Sequence, residues 1–178
     1  VEFLFKKNKV TYLKGKGVIF SKNDVVVYEK EKKTSYKTKN IVIATGSVPA
    51  SLPGIEINEK NVISSTGALS LTKVPSKLVV IGGGYIGLEM GSVWSRLGSK
   101  VTVIEYLDSI TAGMDKEISK EFEKILTKQG IAFKLNSKVV SIKNESESAI
   151  VEFVDSKSSK KEKIQADKVL MAVGRKPY

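Results

Sequence analysis

The stretch LVVIGGGYIGLEMG, residues 78–91, decides the fold. Residues 78–82 form a continuous apolar run rich in β-branched side chains, the pattern of a strand buried on both faces of a parallel sheet. From Gly84 to Leu97 the pattern turns helical, with Ile86, Met90, Val93, Trp94 and Leu97 recurring at three- and four-residue intervals until Gly98 stops it. KVTVIE, residues 100–105, reads as a second strand. A strand, a helix and a strand within about thirty residues make a βαβ unit.

The glycines inside that unit carry the chemistry. Gly82, Gly84 and Gly87 have the spacing G-x-G-x-x-G, which by itself also fits a plain glycine-rich turn. Between a buried strand and a helix the spacing says more. Gly82 allows the tight turn, Gly84 leaves room for a pyrophosphate, and Gly87 lets the helix pack closely on the strand, with Gly91 extending that face. The helix start supplies unpaired N–H groups and a favourable dipole for the phosphates. Glu105 ends the second strand, where an acid accepts hydrogen bonds from the adenine ribose hydroxyls and repels a 2′-phosphate. Tyr106, Leu107 and Asp108 follow without an arginine, so the pattern predicts NAD rather than NADP.

Outward from this unit, VTYL, GVIF, DVVVY and TSYKT read as short strands of a β-meander over the first forty-odd residues. Residues 41–44 follow as an apolar strand ending in Thr45-Gly46, and Pro49 and Pro53 then forbid a helix. The domain boundary is placed there, giving domains 1–46 and 47–178. NVISSTGALSL reads as a short helix. DKEISKEFEKILTKQG reads as an amphipathic helix with Ile118, Phe122, Ile125 and Leu126 on one face, acids Asp115 and Glu117 near its start, and Gly130 as its stop. IAFKL then gives a strand, and VVSIK, AIVEFV and KVLMAV read as a second meander. The expected class is α/β: a Rossmann-like βαβ dinucleotide-binding domain with a β-meander, preceded by a separate meander.

Composition excludes several functions. There is no cysteine and no histidine, so these residues form no disulfide, no thiolate metal site and no Ser-His pair, and no metal site is expected. The net charge of +11 is uneven, with +7 in residues 1–40, and only Arg96 and Arg175 of the thirty basic residues are arginine. That is a solvated lysine surface rather than a nucleic-acid footprint. No apolar run is long enough to span a bilayer and the opening VEFLFKKNKV is unlike a signal peptide, so no membrane association is expected.

Taken in order, VTYLKGKG, IVIATGSVP, VVIGGGYIGLEMGSVWSRLGSKVTVIE, DKEISKEFEKILTKQGIAFKLNSKV and VLMAVGRKP resemble the pyridine nucleotide–disulfide oxidoreductases, and within them the dihydrolipoamide dehydrogenase branch, over essentially the whole chain. The resemblance implies an oxidoreductase that oxidises dihydrolipoamide with NAD through FAD. It assigns Gly82, Gly83, Gly84, Tyr85, Ile86, Gly87 and Glu89 to the NAD pyrophosphate and nicotinamide approach, Glu105 to the adenosine ribose, Val139 to the adenine side and Gly174 to the nicotinamide side. Tyr85 matches a position that gates the nicotinamide pocket in some relatives, and Glu89 an acid that pairs with a lysine of the FAD domain. Gly15, Thr45, Gly46 and Ser47 match FAD contacts, which makes residues 1–46 part of an FAD domain. Taken alone, Thr45-Gly46 is a strand-to-turn signal, Glu89 a helix-dipole acid, and Tyr85 a surface or core aromatic. The redox dithiol, the acid–base histidine and the first and last flavin motifs of the family have no counterpart here, so no catalytic residue is assigned. The chain is expected to be an inactive fragment of a homodimeric parent in a 2-oxo acid dehydrogenase complex, cytoplasmic or, in a eukaryote, in the mitochondrial matrix. The alternatives are a glutathione-type or mercuric reductase, which would call for arginines after Glu105, and a non-catalytic NAD-binding module.

Overall fold

A computed structural model describes residues 1–178. Its internal contacts divide the chain into two compact units, Val1–Thr45 and Gly46–Tyr178.

The first unit opens with a short helix, α1 (Glu2–Lys7), followed by β1 (Lys16–Ser21), β2 (Asp24–Glu29) and β3 (Lys32–Lys37). The three strands form an antiparallel sheet in chain order. Two expectations fail here. VTYL, residues 10–13, forms no strand; Val10 instead closes the end of α1 through its N–H to the Phe5 carbonyl, and the Tyr12 ring lies 5.7 Å from that of Phe5. Residues 41–44 form no strand either, leaving Val42 86% and Ile43 72% exposed. A strand needs a neighbour to pair its backbone groups, and β-branched composition does not supply one.

The second unit is built around a parallel sheet. In chain order it contains β4 (Ser47–Pro49), β5 (Val62–Ile63), α2 (Ser65–Leu69), β6 (Lys77–Ile81), α3 (Tyr85–Arg96), β7 (Lys100–Ile104), α4 (Lys116–Lys128), β8 (Ala132–Lys134), β9 (Ser137–Asn144), β10 (Ala149–Asp155), β11 (Lys161–Ala166), β12 (Lys168–Met171) and β13 (Arg175–Pro177). The five-stranded sheet has the order β5-β12-β6-β7-β8, with every neighbouring pair parallel. β9, β10 and β11 make an antiparallel sheet, and β4 pairs with β13.

Alternation along β6 explains the layers, because successive side chains of a strand point to opposite faces. Leu78 and Val80 join Leu88, Trp94, Val101, Val103 and Leu126 in a core under the helices. Val79 and Ile81 join Ile104, Val169 and Met171 against Val151 and Phe153 of the antiparallel sheet. Helices cover one face of the parallel sheet and β9–β11 cover the other.

Three sequence expectations need correction in this unit. KVLMAV does not belong to the second meander: β12 lies between β5 and β6 in the parallel sheet. The third meander strand is the charged KEKIQA of β11, whose Glu162, Ile164 and Ala166 alternate inward while Lys161, Lys163 and Gln165 face out. NVISSTGALSL splits into β5 and α2, with the Ser64 hydroxyl accepting from the Thr66 and Gly67 N–H groups as the helix cap. The helix faces also differ. α3 buries Gly87, Leu88, Gly91 and Trp94, leaving Val93 and Leu97 exposed, and α4 buries Ser119 and Leu126 while Ile118, Phe122 and Ile125 stay open.

Contact with the sheet separates the helical glycines. A Cβ on Gly87 would overlap the Gly82 carbonyl and come within 3.0 Å of Val80 Cγ1, whereas one on Gly91 would stand 3.4 Å from Val101 Cγ1, an ordinary contact. Gly91 is therefore not a required close-packing glycine. Gly87→Ala is expected to destabilise the unit by about 2–4 kcal/mol through overpacking. Gly91→Ala should be neutral or stabilising by up to about 1 kcal/mol from helix propensity. Urea unfolding of both variants checks the contrast, and equal losses would contradict it.

Candidate functional site

At the carboxyl ends of β6 and β7 the second unit opens a cleft of about 910 Å³. Open α/β sheets bind ligands at such edges, where helix N-termini converge. Of the residues singled out in the sequence, Gly82, Gly84, Tyr85, Ile86, Glu105, Val139 and Gly174 line this cleft. Gly83, Gly87 and Glu89 do not. Gly83 is buried beneath it, Gly87 faces the sheet, and Glu89 is exposed one turn along α3.

The turn into α3 is shaped by backbone. Gly82 has φ +104°, a region that favours glycine, and a Cβ there would overlap the carbonyl of Ala172. Gly84 is the N-cap of α3 and has open space where a Cβ would stand. It offers no capping side chain. The other two helices of this unit are capped, α2 by Ser64 and α4 by Asp115, whose Oδ1 accepts from the Glu117 and Ile118 N–H groups. α3 therefore presents its first N–H groups without a side-chain acceptor at the cleft, together with the positive end of its dipole.

Glu105 stands at the end of β7 and has two backbone partners. Its Oε2 accepts from the Gly83 N–H at 2.6 Å and its Oε1 from the Leu107 N–H at 2.8 Å. Each carboxylate oxygen can accept more than one bond, so the group keeps capacity for a ligand hydroxyl. The opposite side of the Gly83 residue is also held: its carbonyl accepts from the Thr111 N–H at 2.8 Å. Thr111 has φ +50°, lines the cleft, and shares a 2.7 Å hydrogen bond with the buried Ser119 hydroxyl of α4. Such a backbone costs a β-branched residue about 1–3 kcal/mol.

The sequence did not reveal several lining residues. Leu52, Pro53 and Ile55 add an apolar wall, and Lys138 and Arg175 add cations. Arg175 is spoken for, since its Nε donates to Ser47 Oγ at 2.7 Å and its Nη2 to the Ser47 carbonyl. Lys138 follows Ser137, whose N–H donates to the Glu105 carbonyl at 2.8 Å, so β9 carries a lysine into the lining close in chain to the acid's partner. A lysine from a distant strand leaves no mark in the residues after Glu105. Five carboxyls are held below their usual range, Asp24 by a hydrogen bond from Lys37, Glu121 by one from Lys124, Glu152 by one from Lys163, Asp155 by the Ser158 N–H and Glu162 by one from Lys134, and none of them lines the cleft.

The positions assigned to flavin are not in this cleft. Gly15, at φ +145°, lies against β2, where a Cβ would come within 2.5 Å of the Tyr28 carbonyl oxygen, so its own sheet requires the glycine. Thr45 and Gly46 precede β4, with Gly46 at φ +83° and open space around it. The Ser47 hydroxyl is engaged by Arg175.

Comparison with known proteins agrees with this architecture. The family model described as pyridine nucleotide-disulphide oxidoreductase matches residues 1–178. The chain is 54% identical over 180 residues to a dihydrolipoamide dehydrogenase of Chaetomium thermophilum and 50% identical over 179 residues to dihydrolipoyl dehydrogenase 3 of Pseudomonas putida. All of this chain is covered in both cases, against 36% and 38% of those proteins, so it spans little more than a third of their length. Among solved structures, the HOCl-induced flavoprotein disulfide reductase RclA from Escherichia coli aligns with a TM-score of 0.76 at 28% identity, over 99% of this chain and 41% of that one.

The double anchoring of Glu105 gives a consequence that needs no ligand. Glu105→Ala leaves the Gly83 and Leu107 N–H groups without their acceptor and should cost about 1–3 kcal/mol of stability. Urea unfolding in nucleotide-free buffer measures it. A change below about 0.5 kcal/mol would show that the two bonds do not hold the turn.

Proposed function

The chain belongs to the pyridine nucleotide-disulphide oxidoreductase family, and from that premise we propose that its cleft is the NAD seat of a flavoprotein disulfide reductase of the dihydrolipoamide dehydrogenase type. The observation that carries this reading is the uncapped start of α3 opening beside Glu105 in one cleft. Gly82, Gly84, Tyr85 and Ile86 would line the pyrophosphate and its approach, with Gly83 and Gly87 shaping the turn from behind, while Glu105 would meet the adenosine ribose, Val139 the adenine side and Gly174 the nicotinamide side. Tyr85, 70% exposed and lining the cleft, would cover the nicotinamide end. When bound, NAD supplies a hydride acceptor. The chain's own part is to seat it: backbone N–H groups for the phosphates, a carboxylate for the ribose, and apolar walls that exclude water.

In the complete protein the electrons would come from dihydrolipoamide through a dithiol and FAD. Residues 1–46, with Gly15 and the Thr45–Gly46–Ser47 turn, would belong to the flavin domain, and 47–178 would be the NAD domain. The resemblance supports a homodimer serving a 2-oxo acid dehydrogenase complex, in the cytoplasm or the mitochondrial matrix. No helix is long and apolar enough to cross a membrane.

Two measurements test this reading. In calorimetric titration the chain should bind NAD more tightly than NADP, because Glu105 accepts from the ribose and repels a 2′-phosphate, and Glu105→Ala should narrow the gap. Equal affinities in the unmutated chain would reject the assignment of Glu105 to the ribose. The 178-residue chain alone, having no cysteine and no histidine, should show no visible flavin band and no NAD reduction by dihydrolipoamide. Stoichiometric FAD absorption would show a more complete flavin site than residues 1–46 are assigned here, and turnover would overturn the reading of this chain as an inactive part.

A further inference from the structure

The turn that opens the cleft is held from a direction the motif does not specify. Gly83 is gripped at both ends: its N–H by Glu105 Oε2 at 2.6 Å, and its carbonyl by the Thr111 N–H at 2.8 Å. The Gly83 carbonyl and the Gly84 N–H belong to one planar trans peptide, so they point in opposite directions. Fixing the carbonyl at Thr111 therefore fixes the direction of the Gly84 N–H, at the residue that caps α3 and lines the cleft.

Thr111 reaches Gly83 only from an unfavourable backbone. Its φ of +50° is a conformation that a β-branched residue enters rarely and keeps only when its surroundings over-determine it. Three bonds do so here, one of them from the Met114 N–H to the Thr111 carbonyl at 3.0 Å. The N–H is committed to Gly83, and the hydroxyl, with the residue 8% exposed, is tied at 2.7 Å to Ser119 Oγ in the first turn of α4. The neighbouring Ile110 is fully buried, and a Cβ on Gly83 would meet its Cγ2 at 3.2 Å, so the segment stands directly against the turn. The hydroxyl tether is the one of these bonds that leads to α4, and its loss would free residue 111 to relax toward a negative φ, which would swing its N–H away.

We propose that Thr111 is a positioning residue for the pyrophosphate-holding turn, transmitting the placement of α4 through the Ser119 hydroxyl to the Gly83–Gly84 peptide. This rests on the NAD reading of the cleft, but the tether itself can be measured without nucleotide.

The test uses the 178-residue chain with Thr111→Val, which keeps the shape and removes the hydroxyl, Thr111→Ser, which keeps the hydroxyl, and Ser119→Ala, which cuts the same bond from α4. Three quantities are read: the NAD dissociation constant, the exchange rate of the backbone amide at position 111 in the nucleotide-free chain, and the unfolding midpoint. T111V and S119A should each weaken NAD binding about tenfold, as expected when a preorganised turn loosens, and speed exchange at position 111 by at least about tenfold. T111S should stay within about twofold of the parent. NAD binding unchanged in T111V or S119A, even with a lowered unfolding midpoint, overturns the proposal, as does T111S behaving like T111V. If T111V fails to fold, S119A decides. If the parent chain does not bind NAD, the cleft reading falls separately, and the amide at position 111 still judges the tether: unchanged exchange in T111V refutes it and faster exchange supports it.

Discussion

The second unit depends on one close approach, where the ends of β6 and β12 and the start of α3 meet with no side chain between them. Cβ atoms on Gly82 and Gly87 would overlap the Ala172 and Gly82 carbonyls respectively, and the one on Gly87 would also press on the Ala172 Cβ at 3.2 Å. Only glycine lets α3 sit this low on the sheet. The low seat places the uncapped N-terminus of α3 at the sheet edge, beside the carboxylate that ends β7. Displacing the helix outward by the width of a methyl group would separate the donors from Glu105 and open the cleft floor. Packing and binding geometry are thus set by the same two positions.

The sequence announced this centre clearly, because its signals are local. A continuous apolar run, three spaced glycines and a strand-terminal acid all occur within 28 residues, and each corresponds to one feature of the βαβ unit. What failed was non-local or silent. The run KVLM carries the same buried-strand signature as LVVI, but nothing in its composition says that it inserts between β5 and β6 instead of extending the meander beside it in the chain. Periodicity also misled on α3, where Val93 and Leu97 recur at helical spacing but face outward. The sheet-facing side carries Gly87 and Gly91 beside Leu88 and Trp94, and its glycines add no hydrophobic signal. In β11 the period of two was present but hidden under charge. Residues 41–44 show the reverse error, a strand composition with no partner to pair it.

At the cleft, the same division holds between what a motif can say and what a loop path decides. Glycine spacing and an acid can be read in one dimension. Lys138 enters the lining only because β9 begins next to the end of β7, a relation fixed by the Ser137 N–H on the Glu105 carbonyl. Thr111 is an ordinary residue in composition, and its left-handed backbone follows from where Ile110 is buried and where Ser119 stands. No spacing rule encodes either one.

Glu105 shows how structure and recognition share a group without conflict. A half-buried carboxylate has to be compensated by donors, and here the donors are two backbone N–H groups of the adjoining loops. The negative charge therefore stabilises the turn whether or not anything occupies the cleft. Those two bonds also orient the carboxylate, so a ribose diol would meet an acceptor already aligned and would owe little further ordering cost. The phosphates in turn would meet the N–H groups and dipole of α3. The two peptides that meet at Gly83 are gripped separately, the Gly82–Gly83 N–H by Glu105 and the Gly83–Gly84 carbonyl by Thr111, so the selectivity proposed for the cleft would rest on the rigidity of that residue as much as on the charge of the acid.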